Sequence, residues 1–161
     1  MIHIQGICYG VKEENATALG CSYYNIEERI KMRGYHFAPF VNVDSAKLIA
    51  ESYRAVAYNP DNYQKVFFGL TEEQFSQYFI KNKIVWAPDG DEAFDDGSYI
   101  LQFDIGDKIR LIGFKSTSDF SCDSNTLSEL WISADEYYSI LQSWYYSFKK
   151  EWLEKIKTGD E

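Results

Sequence analysis

Two strand-like runs joined by a turn dominate the middle of the chain. The runs Ser98 to Phe103 and Lys108 to Lys115 are rich in β-prone residues, and the sequence Asp-Ile-Gly-Asp at 104–107 supplies a glycine-containing turn between them. Further strand patterns cover Ile2 to Val11, Lys83 to Ala87 and Glu129 to Ile132. The polar run 116–128 is predicted to be a surface loop. These patterns predict a central antiparallel hairpin within a larger sheet.

Three short helices are predicted in the N-terminal half, from capping residues followed by apolar residues at helical spacing. The predicted starts are Asn25 with Glu28, Asp44, and Thr71 with Gln74, and the predicted ends of the first two helices are Gly34 and Pro60. In the second helix Leu48, Ile49, Tyr53 and Val56 recur at helical spacing. Helices and antiparallel strands that segregate in this way indicate an α+β fold.

The longest periodic segment lies at the C-terminus. Ser133 and Glu136 form a capping box that opens a helix over about 134–157. Its apolar stripe comprises Tyr137, Leu141, Trp144 and Phe148, with Tyr138, Tyr145, Trp152 and Ile156 beside it. Such a face is typical of a helix packed on a sheet. We therefore expect one α+β domain over residues 1–161, mainly an antiparallel sheet covered by this helix, with 158–161 as a frayed tail.

Composition and charge narrow the class of partner. The 161 residues are 45% hydrophobic, which is enough for one well-buried core, and 16 basic against 25 acidic side chains give a net charge of −9. This charge disfavours direct binding to nucleic acid and favours a basic protein, such as a nuclease with a positive cleft. The N-terminus lacks a leader pattern, and no apolar run is long enough for a membrane helix. We expect a cytoplasmic protein that does not bind membranes.

The sequence carries little catalytic signal. Its two histidines, His3 and His36, are 33 positions apart, and neither lies at a metal-ligand spacing from a carboxylate or a cysteine. Nucleotide-binding loops, serine nucleophile motifs and zinc motifs are also missing from the sequence. These observations predict a non-enzymatic protein without a catalytic residue, a metal or a cofactor.

A dense acidic loop is the strongest candidate for a functional site. Five carboxylates fall within eight positions: Asp89, Asp91, Glu92, Asp95 and Asp96. The Asp-x-Asp spacing resembles the start of a calcium loop, but Ala93, Phe94 and Ile100 stand where that loop needs a ligand, a glycine and a glutamate. A protein-docking surface, a solvated acidic turn and a looser divalent-cation site all remain open for this loop.

Three further residues extend this candidate. Phe94, inside the acidic run, either anchors the loop in the core or supplies a hydrophobic hot spot within an acidic rim. Asp104 and Asp107, at the hairpin turn, either extend the anionic face or serve as ordinary turn residues.

Several segments together resemble bacterial polymorphic-toxin immunity proteins of the contact-dependent growth inhibition type, most nearly immunity family forty-two. They are Cys8–Val11, Glu28–Ile30, Arg33–Phe40, Trp86–Ser98, Gln102–Asp104, Arg110–Ile112 and Ala134–Tyr138. The resemblance implies a small cytosolic protein that binds one cognate toxin domain, often a nuclease, and so prevents self-intoxication. The resemblance implies a role for this chain but assigns no catalytic residue to it.

The working hypothesis is that an acidic surface binds the C-terminal domain of a cognate toxin. Its candidate residues are Asp89, Asp91, Glu92, Phe94, Asp95, Asp96, Asp104 and Asp107. The alternative is a small-ligand-binding or metal-binding acidic module, in which Trp144, Tyr145 and Trp152 would line a ligand pocket.

Overall fold

The computed structural model describes residues 1–11, 19–58, 66–88 and 92–158, and for 19–21, Glu92 and 155–158 it describes the backbone only. The strands are β1 (Ile2–Ile4), β2 (Ile7–Tyr9), β3 (Val85–Ala87), β4 (Ser98–Ile105), β5 (Lys108–Ser116) and β6 (Cys122–Ser133). The helices are α1 (Leu19–Lys31), α2 (Ala46–Tyr58), α3 (Glu72–Lys81) and α4 (Ala134–Thr158). The predicted α+β class is confirmed. Residues 159–161, most of the predicted tail, lie outside the described residues.

A four-stranded antiparallel sheet in the order β3-β4-β5-β6 forms the centre of the fold. Alternate residues of β4 point to opposite faces, so Leu101 and Phe103 pack against α2 and α3, while Ile100 packs beneath α4 and the β1–β2 hairpin. Because both faces are covered, β4 is buried along almost its whole length. The polar residues of β4, Ser98, Gln102 and Asp104, alternate with apolar ones and are buried on one face, where each has a hydrogen-bond partner.

The predicted central hairpin is confirmed, but the predicted loop 116–128 is wrong. β4 and β5 pair from Ser98–Lys115 to Ile105–Lys108, around a turn at Gly106. β6 begins already at Cys122 and pairs with β5, so the loop shrinks to 117–121. Among the described strands, β6 lies at the edge of the sheet, where polar side chains can face water. Its first half is therefore rich in polar residues, and the sequence pattern indicated a loop there instead of a strand.

The N-terminal segment, predicted as one strand from Ile2 to Val11, is instead a small hairpin. It turns at Gln5 and Gly6, which have φ angles of 49° and 83°. Tyr9 fixes this hairpin to the sheet, because its buried ring lies against Gly113 and its hydroxyl donates to the Thr126 carbonyl at 2.6 Å.

Two helix starts differ from the predictions. Helix α1 begins at Leu19, and Asn25 lies inside it. Contact with α4 explains the longer helix, since the Tyr23 ring stacks on Tyr145 with centroids 4.7 Å apart. Helix α2 is capped by Ser45, whose hydroxyl accepts from the Leu48 amide at 3.1 Å. Its predicted end at Pro60 lies outside the described residues.

The other two helix starts are confirmed. Thr71 and Gln74 form a complete capping box at α3, and the Ser133 hydroxyl accepts from the Glu136 amide at 3.1 Å at the start of α4. Packing of α4 on the sheet is confirmed only for its first turns, through Tyr137, Tyr138 and Leu141. Farther along, the helix packs on α1 through Tyr145 and exposes rings such as Trp152. Within the described part of the chain, no helix combines the length and the apolarity that crossing a membrane requires.

Candidate functional site

The loops at one end of the sheet bring acidic and aromatic side chains together. At this end β4 begins, β5 ends and β6 begins, and the Ser116 amide donates to the Gly97 carbonyl at 2.8 Å. The last residue of α2 reaches the same place, because Tyr58 stacks on Phe120 with centroids 5.3 Å apart. We call this region the acidic end and define it by Asp95, Asp96, Asp119, Asp123, Tyr58 and Phe120.

One of its carboxylates has a structural role. Asp96 pairs with Lys115 at 2.5 Å and accepts from the Ser98 amide at 3.1 Å. Burial opposes ionisation of Asp96, but the hydrogen bonds from Lys115 and Ser98 outweigh it and lower the pKa of the carboxyl group. Asp96 thus joins two loops and has little charge left to offer a partner.

The other three carboxylates accept hydrogen bonds within their loops or are exposed to solvent. Asp119 accepts hydrogen bonds from Thr117 and Ser121, which lower its pKa, and Asp123 accepts from the Asn125 amide at 2.9 Å. Asp95 is exposed. No ion pair to any of the three is present among the described residues. The acidic end therefore carries a local negative potential that a basic partner would relieve.

Phe120 is held in an unusual backbone conformation at the tip of the 117–121 loop. Its φ angle is 64°, a region that bulky residues rarely adopt, and its ring is 55% exposed. Arg54, which is 2% exposed, donates from Nε to the Phe120 carbonyl at 2.9 Å and from Nη2 to the Ser116 hydroxyl at 2.8 Å. The same guanidinium lies 3.8 Å from the centre of the Tyr58 ring and 4.5 Å from that of Tyr99. A buried cation thus holds both exposed rings of the acidic end in place.

The structure describes the side chains of only two of the five carboxylates in the predicted acidic loop. Asp89 and Asp91 lie outside the described residues, and for Glu92 only the backbone, in a short 3₁₀ turn, is described. Phe94 is 5% exposed and packs edge-on against Trp86 at 6.1 Å. Of its two open interpretations, the structure supports the core anchor, and the ring does not lie on the surface.

Asp104 and Asp107 do not extend the acidic end. Asp104 is 6% exposed, and its Oδ2 accepts from the Gly34 amide at 2.5 Å and from the Tyr138 hydroxyl at 3.0 Å. Asp107 is exposed, but it lies at the opposite end of β4, which is roughly 23 Å long at about 3.3 Å per residue. Of the two open interpretations of Asp104 and Asp107, the structure does not support an extension of the acidic end.

A buried polar network surrounds Gln102, between the sheet and helices α1 and α4. The Gln102 Oε1 accepts from Tyr137 at 2.6 Å and from Arg29 at 3.1 Å, and its Nε2 donates to Asp104 and Tyr138, both at 3.0 Å. Burial is the main cause that raises the pKa of both tyrosine hydroxyls. They stay protonated as donors, so their hydrogen bonds order the core.

The cavities do not gather the rings predicted for a ligand pocket. Trp144 lines a cavity of about 390 Å³ beside the N-terminal hairpin, whereas Trp152 lines a separate groove of about 190 Å³ between α1 and α4. A cleft of about 590 Å³ between α1, α2, α3 and β3 has a mainly apolar lining that includes Val56, Phe79 and Ile80. Among the described residues, no cluster of three or more histidine, cysteine or carboxylate side chains could hold a metal ion.

Sequence reasoning missed Tyr58, Phe120 and Arg54. Phe120 carried a usable signal, because it is the only aromatic residue between Phe114 and Trp131 and stands within a polar run. Arg54 and Tyr58 carried none, because they meet Phe120 only in the folded chain.

Comparison with known proteins adds the biological context. The family model for immunity protein 42 matches residues 1–147 of the chain. No curated protein and no solved structure gives a significant match. The matched range includes the whole sheet, the Gln102 network and the acidic end, and it confirms the resemblance inferred from the sequence. The chain therefore belongs to the immunity protein 42 family.

Proposed function

We propose that this protein neutralises a cognate toxin by binding its C-terminal domain, a basic nuclease domain, through the acidic end. Membership of an immunity family implies a toxin partner, and such proteins are generally non-enzymatic. The observation that carries the choice of surface is the acidic end itself, where Asp95, Asp119 and Asp123 lie on the same group of loops as two exposed rings. We further propose that binding takes place in the cytoplasm of the cell that makes the protein.

Charge complementarity accounts for the choice of a nuclease. A nuclease binds phosphate through lysine and arginine side chains, so its cleft attracts an anionic protein. The net charge of −9 speeds the encounter, and the acidic end directs it. Neutralisation then follows from occupancy, because a bound immunity protein covers the toxin or its approach to the substrate.

The test is co-expression with the toxin domain encoded beside this chain, followed by binding kinetics at about 50 and about 500 mM salt. The variant Asp95→Asn, Asp119→Asn, Asp123→Asn removes three charges from the acidic end and keeps the acceptor oxygens that order its loops. If each charge contributes about 0.5 kcal/mol, the association rate at low salt falls roughly tenfold. High salt should largely abolish this difference.

A matched control removes the same charge from the far end of the molecule. Asp44, Asp107 and Glu136 are exposed there, and the variant Asp44→Asn, Asp107→Asn, Glu136→Gln has the same net charge as the test variant. We expect the control to bind nearly as fast as the unmodified protein. Equal slowing of both variants would show that only net charge matters and would contradict docking through the acidic end.

A further inference from the structure

We infer that Phe120 is the anchor of the toxin interface, inserted into an apolar slot that is flanked by lysine or arginine side chains on the partner. The inference rests on the proposed function and specifies how the acidic end would work. Phe120 combines a strained backbone conformation with an exposed side chain.

The fold strains Phe120 without burying it. At a φ of 64° the Cβ of an L-residue crowds the backbone, and glycine or asparagine would occupy this position with less strain. Strain in a folded protein is ordinarily repaid by packing, but this ring is 55% exposed and stacks on the Tyr58 ring, itself 48% exposed. Stability alone therefore does not explain a phenylalanine here, whereas a contact made on binding does.

The ring is also held ready for binding. The Arg54 guanidinium fixes the Phe120 carbonyl, and the Phe120 amide donates to the Thr117 carbonyl at 3.0 Å. The Thr117 amide in turn donates to the Ser121 carbonyl at 3.0 Å, which closes the loop. A side chain that is already ordered loses little conformational entropy on association, so more of its burial appears as affinity.

The surroundings of the ring define the chemistry of the partner. Asp119 is its neighbour in the chain, and Asp95 and Asp123 belong to the same end of the molecule. An aromatic anchor inside a rim of carboxylates fits an apolar slot with a basic rim, where the partner's cations can also lie over the Tyr58 and Phe120 rings. A second copy of this chain fits less well, because two acidic ends would repel each other.

The test separates binding from stability with three variants. Phe120→Asn removes the ring and relieves the strain, Phe120→Tyr retains the ring, and Phe37→Asn removes an exposed phenylalanine (46%) near the other end of β4. With the toxin domain as probe, we expect Phe120→Asn to weaken binding at least about 30-fold through faster dissociation, with an unchanged or higher melting temperature. We expect Phe120→Tyr and Phe37→Asn to bind within about threefold of the unmodified protein.

Three results would overturn the inference, and they differ in what they leave standing. If the unmodified protein binds the toxin domain and Phe120→Asn binds equally well, the anchor is wrong while the proposed function stands. If the unmodified protein neither protects cells nor binds, the proposed function fails and the anchor fails with it. A lower melting temperature for Phe120→Asn, with unchanged affinity of the folded fraction, would assign the ring to the fold and also overturn the inference.

Discussion

Replacing Gln102 with leucine tests whether the buried polar network stabilises the packing of helices α1 and α4 on the sheet. Gln102 is fully buried and makes four hydrogen bonds, to side chains from α1, α4 and its own strand. Leucine has a similar size, so the change removes the hydrogen bonds with little change in packing. We expect Gln102→Leu to fold and to be much less stable.

The expected loss follows from the buried hydrogen bonds that are removed. The Arg29 Nη1, the Tyr137 hydroxyl and the Asp104 Oδ1 each lose the Gln102 partner. At somewhat more than 1 kcal/mol for each buried polar group, the loss is about 4 kcal/mol, and better burial of leucine offsets roughly 1 kcal/mol of it. The net loss of about 3 kcal/mol corresponds to a melting temperature lower by roughly 6–12 °C for a chain of this size.

The assay is urea denaturation, with Gln142→Leu as the matched control because Gln142 is exposed on α4. We expect the control to change the free energy of unfolding by less than about 0.5 kcal/mol. A double-mutant cycle sharpens the test: Tyr137→Phe should cost about 1 kcal/mol in the unmodified protein and should recover about 1 kcal/mol in the Gln102→Leu background, because it removes a buried hydroxyl that has lost its acceptor. Equal effects of Tyr137→Phe in both backgrounds, or a loss below about 1 kcal/mol for Gln102→Leu, would refute this account of the network.

Two further predictions concern other buried contacts. A Cβ at Gly113 would lie 2.5 Å from the Tyr9 ring, so Gly113→Ala should lower the melting temperature by roughly 5–10 °C through overpacking. Adding Tyr9→Leu should then cost less than it does alone, and strictly additive losses would count against the clash. Burial, followed by the charge of Arg29, lowers the pKa of His36 below its ordinary value of 6.5. The unfolded chain therefore takes up a proton that the folded chain resists, so stability should be complete above about pH 6.5 and decline as the pH falls below it. His36→Gln should flatten this dependence in unfolding measurements at several pH values, whereas the same change at the exposed His3 should not.

The elements that were predicted correctly are determined by residues that lie close together in the sequence. The capping box at Thr71 and Gln74 and the cap at Ser133 are formed within four residues of sequence, so the sequence alone identifies them. The β4–β5 hairpin is similar, because its turn and both strands are continuous in the chain. Local hydrogen bonds and local turn geometry decide these features.

The features that were missed depend on distant contacts. The polar start of β6 becomes a strand because β5 offers it a ladder of partners, with Ser116 paired to Cys122. Asp104 stands next to a turn, where solvent exposure is the natural expectation, yet it is buried because the amide of Gly34, 70 positions away, supplies a donor. The acidic end exists only because Tyr58 and Phe120 meet across 62 positions of sequence. Contacts between residues so far apart cannot be recognised from a short window of the sequence.

The segments that carry the family resemblance divide unevenly between the two parts of the molecule. Glu28–Ile30, Gln102–Asp104 and Ala134–Tyr138 supply Arg29, Gln102, Asp104, Tyr137 and Tyr138, which together form the buried network. The acidic end draws Tyr58, Asp119, Phe120 and Asp123 from outside every one of those segments. A buried network constrains each member through its partners, whereas exposed loop residues can change without disturbing the fold. Asp95 and Asp96 of the acidic end lie within Trp86–Ser98, so these segments reach both parts of the molecule, and we expect the proposed partner specificity to lie in loop 117–121, which they leave out. Exchange of loop 117–121 should therefore alter which toxin is bound while leaving the stability of the Gln102 network intact.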